Sequence, residues 1–74
     1  MDADNLVQMA NHIGEFFEAM PDRAEARAGV AAHIRRYWEP RMRRALGEHL
    51  AAHAGAGLTP LVREALQEAP GTLA

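Results

Sequence analysis

The stretch His33-Ile34-Arg35-Arg36-Tyr37-Trp38-Glu39-Pro40-Arg41-Met42-Arg43-Arg44 holds the only Trp, the only Tyr and five of the eight Arg of the chain. Pro40 lacks a backbone N–H and restricts the residue before it, so no unbroken helix can run through this stretch. We predict that one helix ends near Trp38, that Glu39 takes the N-cap position and that Pro40 opens the next helix. The stretch should therefore form an elbow between two helices, with aromatic side chains inside and Arg side chains on its rim.

Two interpretations of this elbow are open. In the first, it is an ordinary helix–helix corner whose aromatic side chains fill a small core and whose Arg side chains are solvated. In the second, it docks another protein, because aromatic and Arg side chains commonly anchor protein interfaces. The residues of this predicted partner interface are Arg35, Arg36, Tyr37, Trp38, Pro40, Arg41, Met42 and Arg44.

Hydrophobic residues recur at helical spacing along the whole chain, and no segment shows the alternation of a strand. The pattern predicts four short helices near residues 4–20, 22–38, 40–54 and 60–69. Pro21, Pro40 and Pro60 mark the corners between them, and Asp4 is the predicted N-cap of the first helix. With 74 residues, we expect one small all-α domain over residues 1–74, only marginally stable because so short a chain buries a small core.

The apolar faces of these helices predict the core. The first helix is expected to bury Leu6, Met9, Ala10, Ile13, Phe16, Phe17 and Met20, with Val7 at the edge of that face. The second helix is expected to bury Val30, Ile34, Tyr37 and Trp38. The helices should then pack around Phe16, Phe17, Ile34, Trp38, Met42, Leu46 and Leu61.

Three further segments raise separate questions. Arg23 and Arg27 project onto the apolar stripe of the second helix, so their stems either extend outward to solvent or meet acidic groups of another chain. Asn11 flanks the apolar face of the first helix, and we expect it to be solvated. Pro70-Gly71 stops the last helix, and the last four residues are expected to fray.

Few residues of the chain could carry out chemistry. His49 and His53 have the i, i+4 spacing of a metal-chelating pair, but zinc requires three or four ligands and no third is evident. The absence of Cys excludes disulfides and thiol catalysis, and no Gly-rich phosphate-binding loop is present. We therefore expect a protein that is not an enzyme, with no catalytic, cofactor-binding or metal site.

The charge and hydropathy of the chain limit its partners. A net charge of −2 opposes the phosphate-driven attraction on which nucleic-acid binding depends. No apolar run has the length of a signal peptide or a membrane-spanning helix, and Cys is absent, as is common in reducing compartments. We expect a cytoplasmic protein that has no nucleic-acid partner and no contact with a membrane.

Three blocks of the sequence resemble one known family. They are Leu6-Val7-Gln8-Met9-Ala10-Asn11-His12-Ile13-Gly14-Glu15-Phe16-Phe17, Gly29-Val30-Ala31-Ala32-His33-Ile34-Arg35-Arg36-Tyr37-Trp38-Glu39-Pro40-Arg41-Met42 and Leu58-Thr59-Pro60-Leu61-Val62-Arg63-Glu64-Ala65-Leu66. Together they resemble the small delta subunit of cytoplasmic, molybdenum-containing, NAD-dependent formate dehydrogenases. Tyr37 and Glu39 stand where Phe and Asp are commoner in that family. Tyr retains the aromatic ring of Phe, and Glu retains the carboxylate of Asp.

The resemblance implies a non-catalytic accessory subunit that supports assembly, stability or cofactor maturation of the catalytic alpha subunit. It also implies that bis-molybdopterin guanine dinucleotide, iron–sulfur clusters and FMN are bound by partner subunits. The alpha subunit would then connect this chain to the diaphorase subunits. Two alternatives remain: a small helical nucleic-acid-binding module, suggested by the elbow and its Arg residues, and a self-associating helical domain.

Overall fold

The computed structural model describes residues 2–74, which form four α-helices followed by a short 3₁₀ helix. The elements are α1 (Ala3–Phe17), α2 (Arg23–Tyr37), α3 (Pro40–His53), α4 (Pro60–Glu68) and the 3₁₀ helix (Pro70–Leu73). The predicted all-α fold is confirmed. α2 packs against both α1 and α4, and α1 also packs against α3. Each helix among residues 2–74 is too short or too polar to span a bilayer.

The helices begin where short-range signals place them, with one exception. Asp22 caps α2, because its carboxylate accepts hydrogen bonds from two backbone N–H groups of the first turn. Pro40 opens α3 after Glu39 in an extended conformation, as predicted. The prediction of Asp4 as the N-cap of α1 was wrong. Asp2 holds that position in an extended conformation, and its carboxylate accepts the Asp4 N–H at 3.0 Å.

The buried face of α1 also differs from the predicted one. The residues that it buries are Leu6, Val7, Ala10 and Gly14. Phe16 is 76% exposed, Met9 is 36% exposed, and Met20 lies beyond the helix end and is 37% exposed. At 100° per residue, the centre of the buried face lies about 75° from the predicted centre. The buried face includes the small residues Ala10 and Gly14, and a Cβ added at Gly14 would lie only 2.6 Å from Val62 Cγ2 of α4.

The core lies where all four helices meet. Of the seven residues around which the helices were predicted to pack, it confirms four, which are Ile34, Trp38, Leu46 and Leu61. The predicted burial of Leu6, Ala10 and Val30 is also confirmed. Phe17 and Met42 are partly buried and pack against this core. Tyr37, predicted to be buried, is 66% exposed. It is the last residue of α2, whereas Trp38 already has an extended backbone, so the two neighbouring rings point in different directions.

The C-terminal residues pack against the core, and the prediction that they fray was wrong. Thr72 is 5% exposed, and Leu73 contacts the core from the 3₁₀ helix. Arg35 of α2 donates a hydrogen bond to the Gly71 carbonyl at 2.7 Å. This charge-assisted bond joins the end of the chain to α2.

Arg23 and Arg27 meet acidic groups of their own chain, which neither of the two expectations for them included. Arg23 lies 2.7 Å from Glu18 and 3.4 Å from Glu64. Arg27 lies 3.6 Å from Glu64 and also pairs with Glu68. The hydrogen bond with Glu64, assisted by Glu18, raises the pKa of Arg23. The ion pairs therefore connect α2 to α4 at the surface.

Asn11 joins α1 to the loop before α4 and is not simply solvated. Its side-chain amide donates to the Gly57 carbonyl at 3.0 Å, and its side-chain oxygen accepts the Thr59 N–H at 3.0 Å. Thr59 is the N-cap of α4, and its hydroxyl makes no capping hydrogen bond. The Asn11 side chain therefore fixes the start of α4 relative to α1.

We expect Asn11→Asp to destabilise the fold by about 1 kcal/mol, because the carboxylate cannot donate to the Gly57 carbonyl. Asn11→Ala removes both hydrogen bonds and should destabilise the fold as well. Urea unfolding followed by circular dichroism measures both effects, with the exposed neighbour His12→Ala as the control. If Asn11→Asp unfolds at the same urea concentration as wild type, the bridge does not stabilise the fold.

Candidate interaction surface

The Arg side chains fall into two groups according to what they contact. Five of the eight form hydrogen bonds or ion pairs with acceptors within the chain, namely Arg23, Arg27, Arg35, Arg43 and Arg63. Arg36, Arg41 and Arg44 are exposed, and among residues 2–74 no carboxylate or carbonyl pairs with them. We call these three the elbow arginines, because they lie at the end of α2 and the start of α3.

Arg43 stabilises the elbow through hydrogen bonds to backbone carbonyls. Its guanidinium donates to the Arg35 carbonyl at 2.7 Å and to the Trp38 carbonyl at 3.4 Å. It also reaches the Ala74 carbonyl at 3.5 Å. Carbonyls at the C-terminal end of a helix lack partners within that helix, so Arg43 satisfies groups that α2 leaves open. Its role in the elbow is structural.

An apolar groove between α1 and α2 lies beside the elbow. We call it the aromatic groove, and it is lined by Ile13, Phe16, Phe17, His33 and Tyr37. Its volume is about 350 Å³. The rings of Phe16 and Phe17 meet edge to face with centroids 5.1 Å apart, and those of His33 and Tyr37 are 4.7 Å apart. The Phe17 ring lies against Gly29 of α2, at a distance that leaves no space for a Cβ.

Large apolar side chains are exposed in and around this groove. Phe16 is 76% exposed and Tyr37 is 66% exposed. At 100° per residue, Met9 and Phe16 fall within about 20° of one another on one flank of α1, and Met20, beyond the end of the helix, is 37% exposed. Scattered exposed apolar residues need no explanation, but a cluster of large ones marks a surface that binds another molecule.

Arg36 links the aromatic groove to the elbow arginines. Its guanidinium carbon lies 5.7 Å from the centroid of the Tyr37 ring, within the range of a cation–π contact. Tyr37 thus belongs both to the groove and to the elbow. The aromatic groove and Arg36 therefore form one continuous surface at Tyr37.

The residues of the predicted partner interface differ in their exposure to solvent. The exposed members are Arg35, Arg36, Tyr37, Pro40, Arg41 and Arg44. Trp38 is 6% exposed and lies in the core, so its indole offers almost no surface to a partner. Met42 is partly buried against the core.

The sequence interpretation missed the half of the surface contributed by α1, because it assigned Phe16 to the core. One signal in the sequence could have indicated otherwise. Adjacent residues lie about 100° apart on a helix, so Phe16 and Phe17 cannot both point at the centre of one buried face. Phe17 faces inward, and Phe16 is left on the surface.

His49 and His53 lie apart from this surface, on the second half of α3. Their ring centroids are 5.3 Å apart, and His49 Nε2 lies 2.8 Å from the Ala56 carbonyl. Within residues 2–74, no group of three or more His, Asp or Glu is arranged to hold a metal ion.

Comparison with known proteins identifies the family. No curated protein and no solved structure matches the chain. A family model described as NADH-dependent formate dehydrogenase delta subunit FdsD matches residues 5–66, a range that includes the aromatic groove and the elbow arginines. The match confirms the resemblance carried by the three sequence blocks. The chain belongs to the family of NADH-dependent formate dehydrogenase delta subunits.

Proposed function

We propose that this chain is a non-catalytic accessory subunit of an NAD-dependent, molybdenum-containing formate dehydrogenase complex. It supports the assembly, stability or cofactor maturation of the catalytic alpha subunit. Family membership supports a place in a formate dehydrogenase complex. The observation that carries the accessory role is the exposed aromatic groove beside the elbow arginines. Such a surface suits a macromolecular partner, whereas an active site needs convergent polar groups in an enclosing pocket.

In this proposal the redox groups belong to partner subunits. Iron–sulfur clusters are held mainly by Cys thiolates, and the chain has no Cys. We assign these clusters, bis-molybdopterin guanine dinucleotide and FMN to the partners. The alpha subunit is the direct partner and connects this chain to the diaphorase subunits in the cytoplasm.

Co-expression with the other subunits of the complex tests this function. A tagged form of the chain is expected to co-purify with the catalytic subunit. Leaving the chain out should lower the yield of molybdenum-loaded enzyme, while turnover per molybdenum stays near normal. If the tagged chain purifies alone, or if its omission abolishes turnover without lowering molybdenum content, the accessory role is wrong.

A further inference from the structure

We propose that the aromatic groove and the elbow arginines form one docking site for an acidic amphipathic helix of a partner chain. Apolar side chains of that helix would enter the groove, and its carboxylates would pair with the elbow arginines. This inference rests on the proposed function and deepens it, because it names the kind of segment that the partner contributes.

The backbone around the groove favours a helix as its occupant. Both walls are helices, α1 and α2, whose N–H and C=O groups bond within the helix along most of their length. An extended peptide would find no strand edge to pair with there, whereas a helix arrives with its own backbone hydrogen bonds already made. The lining residues span positions 13–17 of α1 and 33–37 of α2, about 7 Å of each helix at the helical rise, which corresponds to about one and a half turns of a docked helix.

The aromatic side chains supply the anchors for such a helix. Phe16 and Tyr37 are the most exposed of the large apolar residues, and aromatic rings bury more area on contact than other side chains. Helices that dock in grooves present apolar residues at i, i+3, i+4 and i+7. The partner segment should carry that spacing.

Charge complementarity indicates that this helix is acidic. Residues 33–44 contain five Arg and one Glu, a charge of +4, so the rest of the chain carries −6 of the total of −2. Two of those five, Arg35 and Arg43, are used on backbone carbonyls. Among residues 2–74 no acceptor pairs with the elbow arginines, and no carboxylate lines the aromatic groove next to Arg36. Arg presents a planar fork that binds carboxylates in pairs of hydrogen bonds.

The same charges disfavour two other occupants. A symmetric dimer presents the same surface on both copies, which would bring two sets of elbow arginines together over a groove that holds no carboxylate. Nucleic acid would neutralise the arginines, but the charge of −6 on the rest of the chain opposes phosphate-driven binding.

A control position is available on the other side of α1. Gly14 faces Val62 of α4, and at 100° per residue Gly14 points about 160° away from Phe16. α4 therefore lies opposite the groove, and Gln67 is exposed on it. Gln67→Glu adds one negative charge there without altering the proposed docking site.

Competition for incorporation into the complex tests the site. Wild-type chain and one variant are co-expressed in equal amounts with the other subunits, and their ratio in the purified complex is measured by mass spectrometry. We expect Phe16→Ala and Tyr37→Ala each to be under-represented by about 30-fold, the effect of a strong interface anchor. Arg36→Glu combined with Arg41→Glu should be excluded to a similar degree.

The outcomes separate this inference from the proposed function. Gln67→Glu should be incorporated as well as wild type, and thermal unfolding of each variant alone confirms that it folds. If the folded groove and elbow variants match wild type, the docking site is wrong while the accessory function stands. If wild type itself is absent from the complex, the accessory function fails.

Cross-linking identifies the occupant directly. A photoreactive p-benzoylphenylalanine placed at Phe16 should cross-link in the complex to a partner helix that carries Glu or Asp beside its apolar residues. A cross-link to a second copy of this chain, to nucleic acid or to a basic or non-helical segment would overturn the proposal.

Discussion

Trp38→Ala is expected to leave the isolated chain largely unfolded at 25 °C. The side chain is 6% exposed and lies in the core with residues from all four helices. Removing a buried Trp costs about 3–5 kcal/mol, which is similar to the entire stability, roughly 3–5 kcal/mol, that a single small core supplies. Circular dichroism during heating should therefore show a weak helical signal and no cooperative transition.

The adjacent Tyr37→Ala is the matched control, because it removes a ring of similar size from the surface. Tyr37 is 66% exposed, and surface substitutions usually change stability by no more than about 0.5 kcal/mol. Its unfolding curve should stay close to that of wild type. Equal losses in the two variants, or a Trp38→Ala protein with a normal transition, would contradict the division of the two rings between core and surface.

Because Trp38 lies in the core, its substitution cannot report on contacts between the elbow and a partner in the complex. A Trp38→Ala chain that fails to join the complex reports unfolding and not a lost contact. Arg41 is a cleaner probe, because it is exposed and no acceptor within residues 2–74 pairs with it. Arg41→Ala should leave the helices intact and weaken only the pairing with the partner.

The corners of the fold could be predicted because their signals are local. Pro40 and Pro60 open α3 and α4, since Pro suits the first helical position. The Asp22 cap of α2 was not among the predictions, but its signal is equally local, because its carboxylate accepts from N–H groups two and three residues away. Each signal acts over a few residues and needs no knowledge of the rest of the chain.

The buried face of α1 could not be predicted, because contacts with distant residues select it. Hydrophobic periodicity favours the largest apolar side chains, whereas α1 packs through Gly14 against Val62. Asn11 likewise bonds to Gly57 and Thr59, 46 and 48 residues away. A pattern within one helix carries no information about such partners.

The candidate surface was predicted in part for the same reason. The exposed positions of Arg36, Arg41 and Arg44 follow from their place on the rim of the elbow. The sequence could not show that Arg43 is different, because its acceptors are backbone carbonyls that α2 and the C-terminal segment bring together. Residue type predicts which side chains can bind carboxylates, and the tertiary structure determines which remain available.

Gly14→Ala should destabilise the fold by about 3 kcal/mol, the upper end of the usual cost of overpacking. A Cβ at this position would lie 2.6 Å from Val62 Cγ2, and Val62 is completely buried, so α1 and α4 have to move apart. The better helix propensity of Ala, worth roughly 0.5–1 kcal/mol, offsets only part of this cost. Urea unfolding gives the free energy of unfolding of the variant and of wild type.

Gly47→Ala is the matched control, because Gly47 lies inside α3 and a Cβ there would meet its nearest atom, in Leu73, at 3.6 Å. With no overlap, the gain in helix propensity should stabilise this variant by roughly 0.5–1 kcal/mol.

Combining Gly14→Ala with Val62→Ala tests whether the contact with Val62 causes the loss, since the smaller side chain at 62 makes room for the new methyl group. The stability lost by the double variant should be smaller, by at least ~1 kcal/mol, than the sum of the losses in the two single variants. Additive losses would show that Gly14 is required for some reason other than its contact with Val62.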